Sequence, residues 1–285
     1  MIALAVVHIL LAGNYINLPW KQALWIAYST GFVGILIYTR IIYPLKLIRK
    51  SFIVKDIKPE PGDVMTVTME PDGHKGFKFS PGQFAWLTAW KTPFSDTEHP
   101  FSIASSAEKT GVIQMSIKKF GEFTARIRTL KPGERVYVDG PYGAFNLDRF
   151  PTAEKLVFIP GGIGVTPIMS MLRTMADRKD KRPILLFYCN REWDTLAFSE
   201  EIQELEKSLN LTTIYTIEKP PQNWNGESGF LNRDILNKHT PADWISDETD
   251  VFLCGPTPMM DAVERELLAV GYSDKYIHTE RYAFV

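Results

Sequence analysis

Three textures along the chain predict its fold class: N-terminal transmembrane helices, an antiparallel β-barrel domain, and an α/β domain on a parallel sheet. The first 55 residues contain no Asp or Glu. Short alternating segments separated by Pro-Gly turns follow, and after Pro151 continuous apolar strands alternate with helical stretches. The corresponding divisions are residues 1–48, 49–150 and 151–285.

In the first division, the only charges up to Leu45 are Lys21 and Arg40. Residues 22–39 are uncharged and, continued past Arg40 through residues 41–44, reach the roughly 20 residues a membrane-spanning helix needs. Trp20, Trp25, Tyr28, Tyr38 and Tyr43 supply interface anchors in contact with membrane lipid. Arg40, Lys46, Arg49, Lys50 and Lys55 follow the helix while Lys21 alone precedes it, so the positive-inside bias predicts a cell-membrane protein whose later domains are cytoplasmic. Residues 1–13 are apolar but too short to cross a bilayer, and lack the basic start of a signal peptide. They read as the tail of a longer helix, which predicts a multi-pass protein of which this chain is either a fragment or a truncated gene product. His8 lies inside that piece. An ionisable group at membrane depth is a functional candidate and imidazole ligates haem iron, yet a lone histidine near a chain end reads equally well.

Segments 51–57, 63–70, 82–90, 111–120 and 134–140 alternate in polarity and are set off by turns such as Pro61-Gly62 and Pro132-Gly133, the spacing of an antiparallel barrel. Segments 156–160, 183–189, 211–217 and 250–255 are instead continuously apolar and alternate with helical stretches 168–177, 197–209 and 258–270. That is the pattern of a parallel sheet covered on both faces.

Composition narrows the function. With 32 Lys+Arg against 33 Asp+Glu the formal charge is -1, so no global field would hold nucleic acid. Two cysteines cannot build a disulfide framework, a four-thiolate zinc site or a plant-type iron-sulfur cluster, so redox chemistry would need another carrier.

The first apolar strand of the third division runs into Gly161, Gly162, Ile163, Gly164, Val165, Thr166 and Pro167 and then a helix. Glycines let the backbone approach a pyrophosphate, and the helix start offers N–H groups to its charge. Thr166 is expected to cap that helix, with Pro167 in its first turn. Pro167 stands where the usual dinucleotide fingerprint has its third glycine. Cys254-Gly255-Pro256 closes the last apolar strand, with Met259 just beyond, and should face the same crevice as the glycine turn, although Cys254 taken alone reads more readily as a buried hydrophobe. Within the barrel, His99-Pro100-Phe101-Ser102 could give a flavin an apolar wall, a partner for its reactive nitrogen and a phosphate donor; an aromatic-rich strand is the plain alternative. Ile117 and Lys118 lead into Lys119-Phe120-Gly121-Glu122-Phe123-Thr124, a basic turn suited to phosphate or simply solvated.

His99-Pro-Phe-Ser, the glycine turn, Cys254-Gly-Pro and Glu280-Arg281-Tyr282 occur in the order seen in the ferredoxin-NADP reductase superfamily. From about residue 51 onward the chain most resembles the dehydrogenase region of its membrane branch, the ferric reductases and NADPH oxidases. The preceding residues resemble the last two helices of the haem-bearing domain. The resemblance implies Phe101 against the flavin ring, Ser102 at its N5 and His99 in place of a pyrophosphate-binding arginine. It implies Gly121, Phe123 and Thr124 on the FAD phosphates, the glycine turn on those of the nicotinamide cofactor, and Cys254 and Glu280 beside the nicotinamide. Tyr282 matches the mobile aromatic that covers the flavin, a role Phe284 disputes. His8 resembles one of the family's haem ligands, whose partners would lie on missing helices or a separate haem-bearing subunit. Asn190 and Arg191 suit the 2′-phosphate of NADPH, whereas Glu192 beside them suits NADH. The balance favours NADPH.

These readings predict an NAD(P)H-dependent FAD oxidoreductase that sends electrons singly towards membrane haem and on to ferric ion or oxygen. Two alternatives stand beside it: a reductase component serving a soluble ferredoxin or oxygenase, and a membrane-tethered remnant or regulatory subunit without catalysis.

Overall fold

The computed structural model describes residues 7, 8, 11, 18–95 and 97–282, with Tyr282 by its backbone alone. Pro19 opens the first long helix, where a missing N–H breaks no intrahelical bond. Helix α1 (Pro19–Ile37) continues through a π-turn at Tyr38–Ile42 into α2 (Tyr43–Arg49). It is apolar all round and buries none of the α1 residues. Among the described residues this 31-residue rod is the one helix long and apolar enough to cross a membrane. The earlier apolar stretch lies mostly outside the described residues; His8 is exposed on a helical turn.

Two residues after α2 the barrel begins: β1 (Phe52–Glu60), β2 (Val64–Pro71), β3 (Phe84–Ala89), β4 (His99–Ser102), β5 (Ile113–Lys118), the short helix α3 (Glu122–Arg126) and β6 (Arg135–Tyr142). The strands form one antiparallel sheet in the order β4-β3-β6-β1-β2-β5. Alternation places Val67, Met69, Leu87, Met115 and Val136 inside. The sheet curls until Ile103 bridges Met115 and the Ala104 N–H donates to Gln114 O at 2.7 Å.

The third unit comprises β7 (Lys155–Pro160), α4 (Val165–Arg178), β8 (Ile184–Glu192), α5 (Ser199–Glu206), β9 (Leu211–Lys219), β10 (Glu227–Ser228), α6 (Arg233–His239), β11 (Thr249–Pro256), α7 (Thr257–Val270) and β12 (Ile277–Tyr282). Its parallel sheet runs β10-β9-β8-β7-β11-β12, with apolar clusters buried on both faces. The chain grows outward from β7 to β10 and then returns to the other side of β7 as β11. The strand order therefore reverses between β7 and β11, the point at which open α/β sheets bind ligands.

Candidate active site

The barrel's closure is incomplete, and this makes the first cavity. Beyond the Ile103–Met115 bridge, β4 and β5 sit at opposite ends of the sheet order, so the seam between them splays open. A cavity of about 360 Å³ fills it, walled by His99, Pro100, Phe101 and Ser102 on one side and Ser116, Ile117 and Lys118 on the other. Phe84 also lines it, as do Ile163, Thr166 and Glu280 of the α/β unit. Phe101 and Phe84 offer flat apolar surface and Ser102 a hydroxyl, a set that fits an isoalloxazine ring. Desolvation raises the pKa of the Glu280 carboxyl and lowers that of the His99 imidazole, whose ring centroid lies 4.0 Å from that of Phe123.

The glycine turn stands at the switch point. The Gly161 N–H donates to Cys254 O at 2.8 Å, fastening the end of β7 to that of β11. A Cβ on Gly164 would meet that carbonyl at 2.1 Å, so close approach of backbones demands glycine there, whereas one on Gly161 would meet the movable Met259 side chain, its Sδ at 2.2 Å. Gly162 adopts φ 53°, in the left-handed region. The turn opens on a second cavity of about 560 Å³, lined among others by Gly161, Gly162, Asn190, Arg191, Glu218 and Met259. Lys118 lines both cavities, so the two adjoin. A backbone cradle at a helix start, opening on a groove with an exposed arginine, fits a nicotinamide dinucleotide.

Helix α4 is bolted to the barrel. Arg173 Nη1 donates to Ala104 O at 2.7 Å and to Gln114 Oε1 at 3.1 Å, while Nε and Nη2 grip Glu201 at 2.6 and 2.7 Å. Ser170 Oγ donates to Ser105 O at 2.8 Å, and the Ala107 N–H donates to Thr174 Oγ1 at 2.9 Å. The nucleotide turn and the seam are thus held in register by one helix.

Comparison with known families agrees with this division. Residues 49–146 match the model of an FAD-binding domain, and residues 158–265 match that of an oxidoreductase NAD-binding domain. The chain belongs to the ferredoxin-NADP reductase superfamily. Among this superfamily member's relatives, NADH-cytochrome b5 reductase 2 of Mycosarcoma maydis is 27% identical over 236 residues, covering 75% of this chain and 63% of the relative. The reductase component of propane 2-monooxygenase from Mycolicibacterium smegmatis is 31% identical over 218 residues, 73% of this chain and 60% of that one. The chain thus spans about three fifths of the length of the curated relatives it matches. The solved FAD/NAD-binding domain of nitric oxide dioxygenase from Vibrio cholerae shares the fold, with a TM-score of 0.71 at 20% identity, covering 82% of this chain and 98% of that domain.

The expected site residues take distinct places in this fold. Thr166 is not the cap of α4: the helix starts at Val165, and the Thr166 hydroxyl donates to Ile163 O at 2.9 Å from within the first turn. Cys254 is wholly buried in the sheet core, with its carbonyl rather than its thiol at the turn. Gly255 is buried beside Gly161, and Pro256 with Met259 lines the nucleotide cavity. Phe123 packs behind the seam against Trp90, His99 and Phe101 and is not among the residues lining the cavity. Gly121 opens on a separate shallow depression, and its N–H, like that of Phe120, is taken by Thr124 Oγ1. Thr124 and Phe120 do reach the seam cavity. Pro167 is buried in the first turn of α4. The Asn190 amide donates to Glu192 O and Thr195 Oγ1, which leaves Arg191 as the cationic side chain of that strand end in the cavity. Tyr282 ends β12 in register with Pro256; its side chain and Phe284 lie outside the described residues. Sequence reading missed Phe84, Ser116 and Glu218, which reach the cavities through strand register alone.

Proposed function

We propose that the protein is a membrane-anchored flavoprotein reductase that accepts hydride from NAD(P)H on FAD and hands electrons singly to a separate electron-carrier protein. One observation carries the reading: the seam cavity and the switch-point cavity adjoin at Lys118, with the glycine turn between them. When bound, FAD supplies the conversion of a two-electron donor into one-electron deliveries. Phe101 and Phe84 would hold the ring and Ser102 would offer it a hydroxyl, while Ile163 and Thr166 bring the α/β unit to the wall of the same cavity. Glu280 places a carboxyl on the wall whose raised pKa favours its protonated form. The named functions of the matched relatives, a cytochrome b5 reductase and an oxygenase reductase component, support a protein acceptor. The apolar rod supports insertion in a membrane, and Lys46, Arg49 and Lys50 at its end support a cytoplasmic site for the two domains.

A second reading, delivery towards membrane haem and then ferric ion or oxygen, is favoured by the direct passage from the rod into β1. The glycine turn and the two adjoining cavities argue against a remnant without catalysis. The purified full chain with added FAD should reduce an artificial one-electron acceptor in an NAD(P)H-dependent manner, and the absence of that activity overturns the enzyme reading.

A further inference from the structure

The end of the apolar rod touches the barrel through a polar cluster. Tyr43 Oη donates to Asp139 and lies 3.3 Å from Tyr142 Oη, and Tyr142 Oη donates to the same Asp139 oxygen at 2.9 Å. Pro44 beside it is buried. The Tyr142 ring lies 6.0 Å from Phe84, a wall of the seam cavity, so two rings separate that cavity from the rod. The connection has no slack. Ser51, between rod and β1, is buried; its carbonyl accepts from Asp72 N at 2.9 Å and is held by His74 Nε2 at 2.8 Å. Domains joined by small interfaces move relative to one another by default, so a fastening at this point has a mechanical consequence.

We propose that Tyr43, Asp139 and Tyr142 form a docking clamp that seats the barrel on the end of the rod with the Phe84 side of the cavity turned to the bilayer, making the acceptor a redox protein held in the same membrane. This rests on the reading of the rod as a membrane anchor. A phenol pair on one carboxylate suits the task, because it is charge-assisted and survives at the polar edge of a bilayer where Tyr rings settle. Electrons then leave on the membrane side, while nucleotide reaches the opposite unit from water.

The test uses the full chain loaded with FAD in phosphatidylcholine vesicles containing a rhodamine-headgroup lipid. Wild type and the Tyr43→Phe/Asp139→Asn double variant are compared by flavin-to-rhodamine energy transfer and by reduction of two probes, ferricyanide in the water and a long-chain quinone confined to the bilayer. The clamp predicts that the variant loses energy transfer at least about twofold and slows on quinone about tenfold, while ferricyanide reduction is unchanged. Equal transfer and equal quinone rates in wild type and variant overturn the clamp. Quinone and ferricyanide rates that fall together overturn it as well, since the loss is then in the site itself. Failure of the wild type to float with vesicles overturns the anchor reading and the clamp with it.

Discussion

Replacing Arg173 by Met tests whether α4 holds the two cavities in working register. Met keeps most of the stem and removes the guanidinium, which makes two bonds to Glu201, one to the Ala104 carbonyl and one to Gln114. Leaving the Ala104 carbonyl without its charged donor costs about 1–3 kcal/mol. The Glu201 fork adds about 1 kcal/mol, because the Glu201 side chain is 39% exposed against 16% for Arg173, and water takes over much of its solvation. The total, about 2–4 kcal/mol, corresponds to a fall of roughly 5–15 °C in the melting midpoint if the two domains, about 230 residues together, melt as one unit. The functional effect is the sharper measurement. Ala104 lies two residues from Ser102, while the Ser170–Ser105 and Thr174–Ala107 bonds remain to keep the domains together. A shift of a fraction of an ångström between ring positions slows hydride transfer about tenfold, with the nucleotide cavity untouched. Anaerobic stopped-flow reduction of the flavin by NADPH should therefore show a slower limiting rate at unchanged nucleotide affinity. A limiting rate equal to wild type in a variant with the expected fall in melting midpoint refutes the coupling.

Gly164→Ala drives a Cβ into the Cys254 carbonyl, a backbone atom that cannot turn aside, and should cost about 1–3 kcal/mol or more and abolish NAD(P)H binding, read by titration calorimetry. Arg191→Gln should raise the KM for NADPH about tenfold more than that for NADH in steady-state assays; equal changes would remove Arg191 from 2′-phosphate recognition. Glu280 has a folded-state pKa raised above the ordinary 4.5, so its contribution to stability is full below that value and is lost as pH rises through the folded pKa. Glu280→Gln should remove this loss, so that the cofactor-free variant keeps more of its low-pH stability above pH 4.5 than wild type does in thermal melts.

What the sequence discloses follows from the range of the forces involved. The apolar rod, the alternating strands and the glycine turn are local patterns, each complete within a few tens of residues, and their order gives the three-part architecture. Elements whose signal is short or interrupted are not legible. Strand β10 has two residues, α6 has seven, and β12 reads His278-Thr279-Glu280-Arg281 rather than a continuous apolar run. The cap of α4 misleads because Thr166 bonds backward to Ile163 while Gly164, which has no side chain, occupies the capping position. Phe84 and Glu218 carry no motif at all. They become site residues because β3 lies beside β4 and β9 beside β8, and such register is fixed by pairing across the sheets.

The placement of the seam has a physical reason. Strand β4 has four residues at one end of the barrel sheet, paired with β3, and Pro100 in its middle has no N–H to donate. Such a strand is a poor partner for β5, so the closure that begins at Ile103 and Met115 cannot continue past Ser102. The same interruption that would leave an edge exposed in an ordinary barrel makes room for a flat ring between His99–Ser102 and Ser116–Lys118. One wall of the site is then attached to this weak strand. Arg173 holds Ala104 beyond its end, and Phe84 on the neighbouring β3 pairs with Ser102. Extending the closure should therefore empty the site. Pro100→Val, with an N–H restored and a β-branched side chain suited to pairing, would favour continued β4–β5 pairing at the expense of the cavity, and weaker FAD retention in a more heat-stable barrel is the expected result.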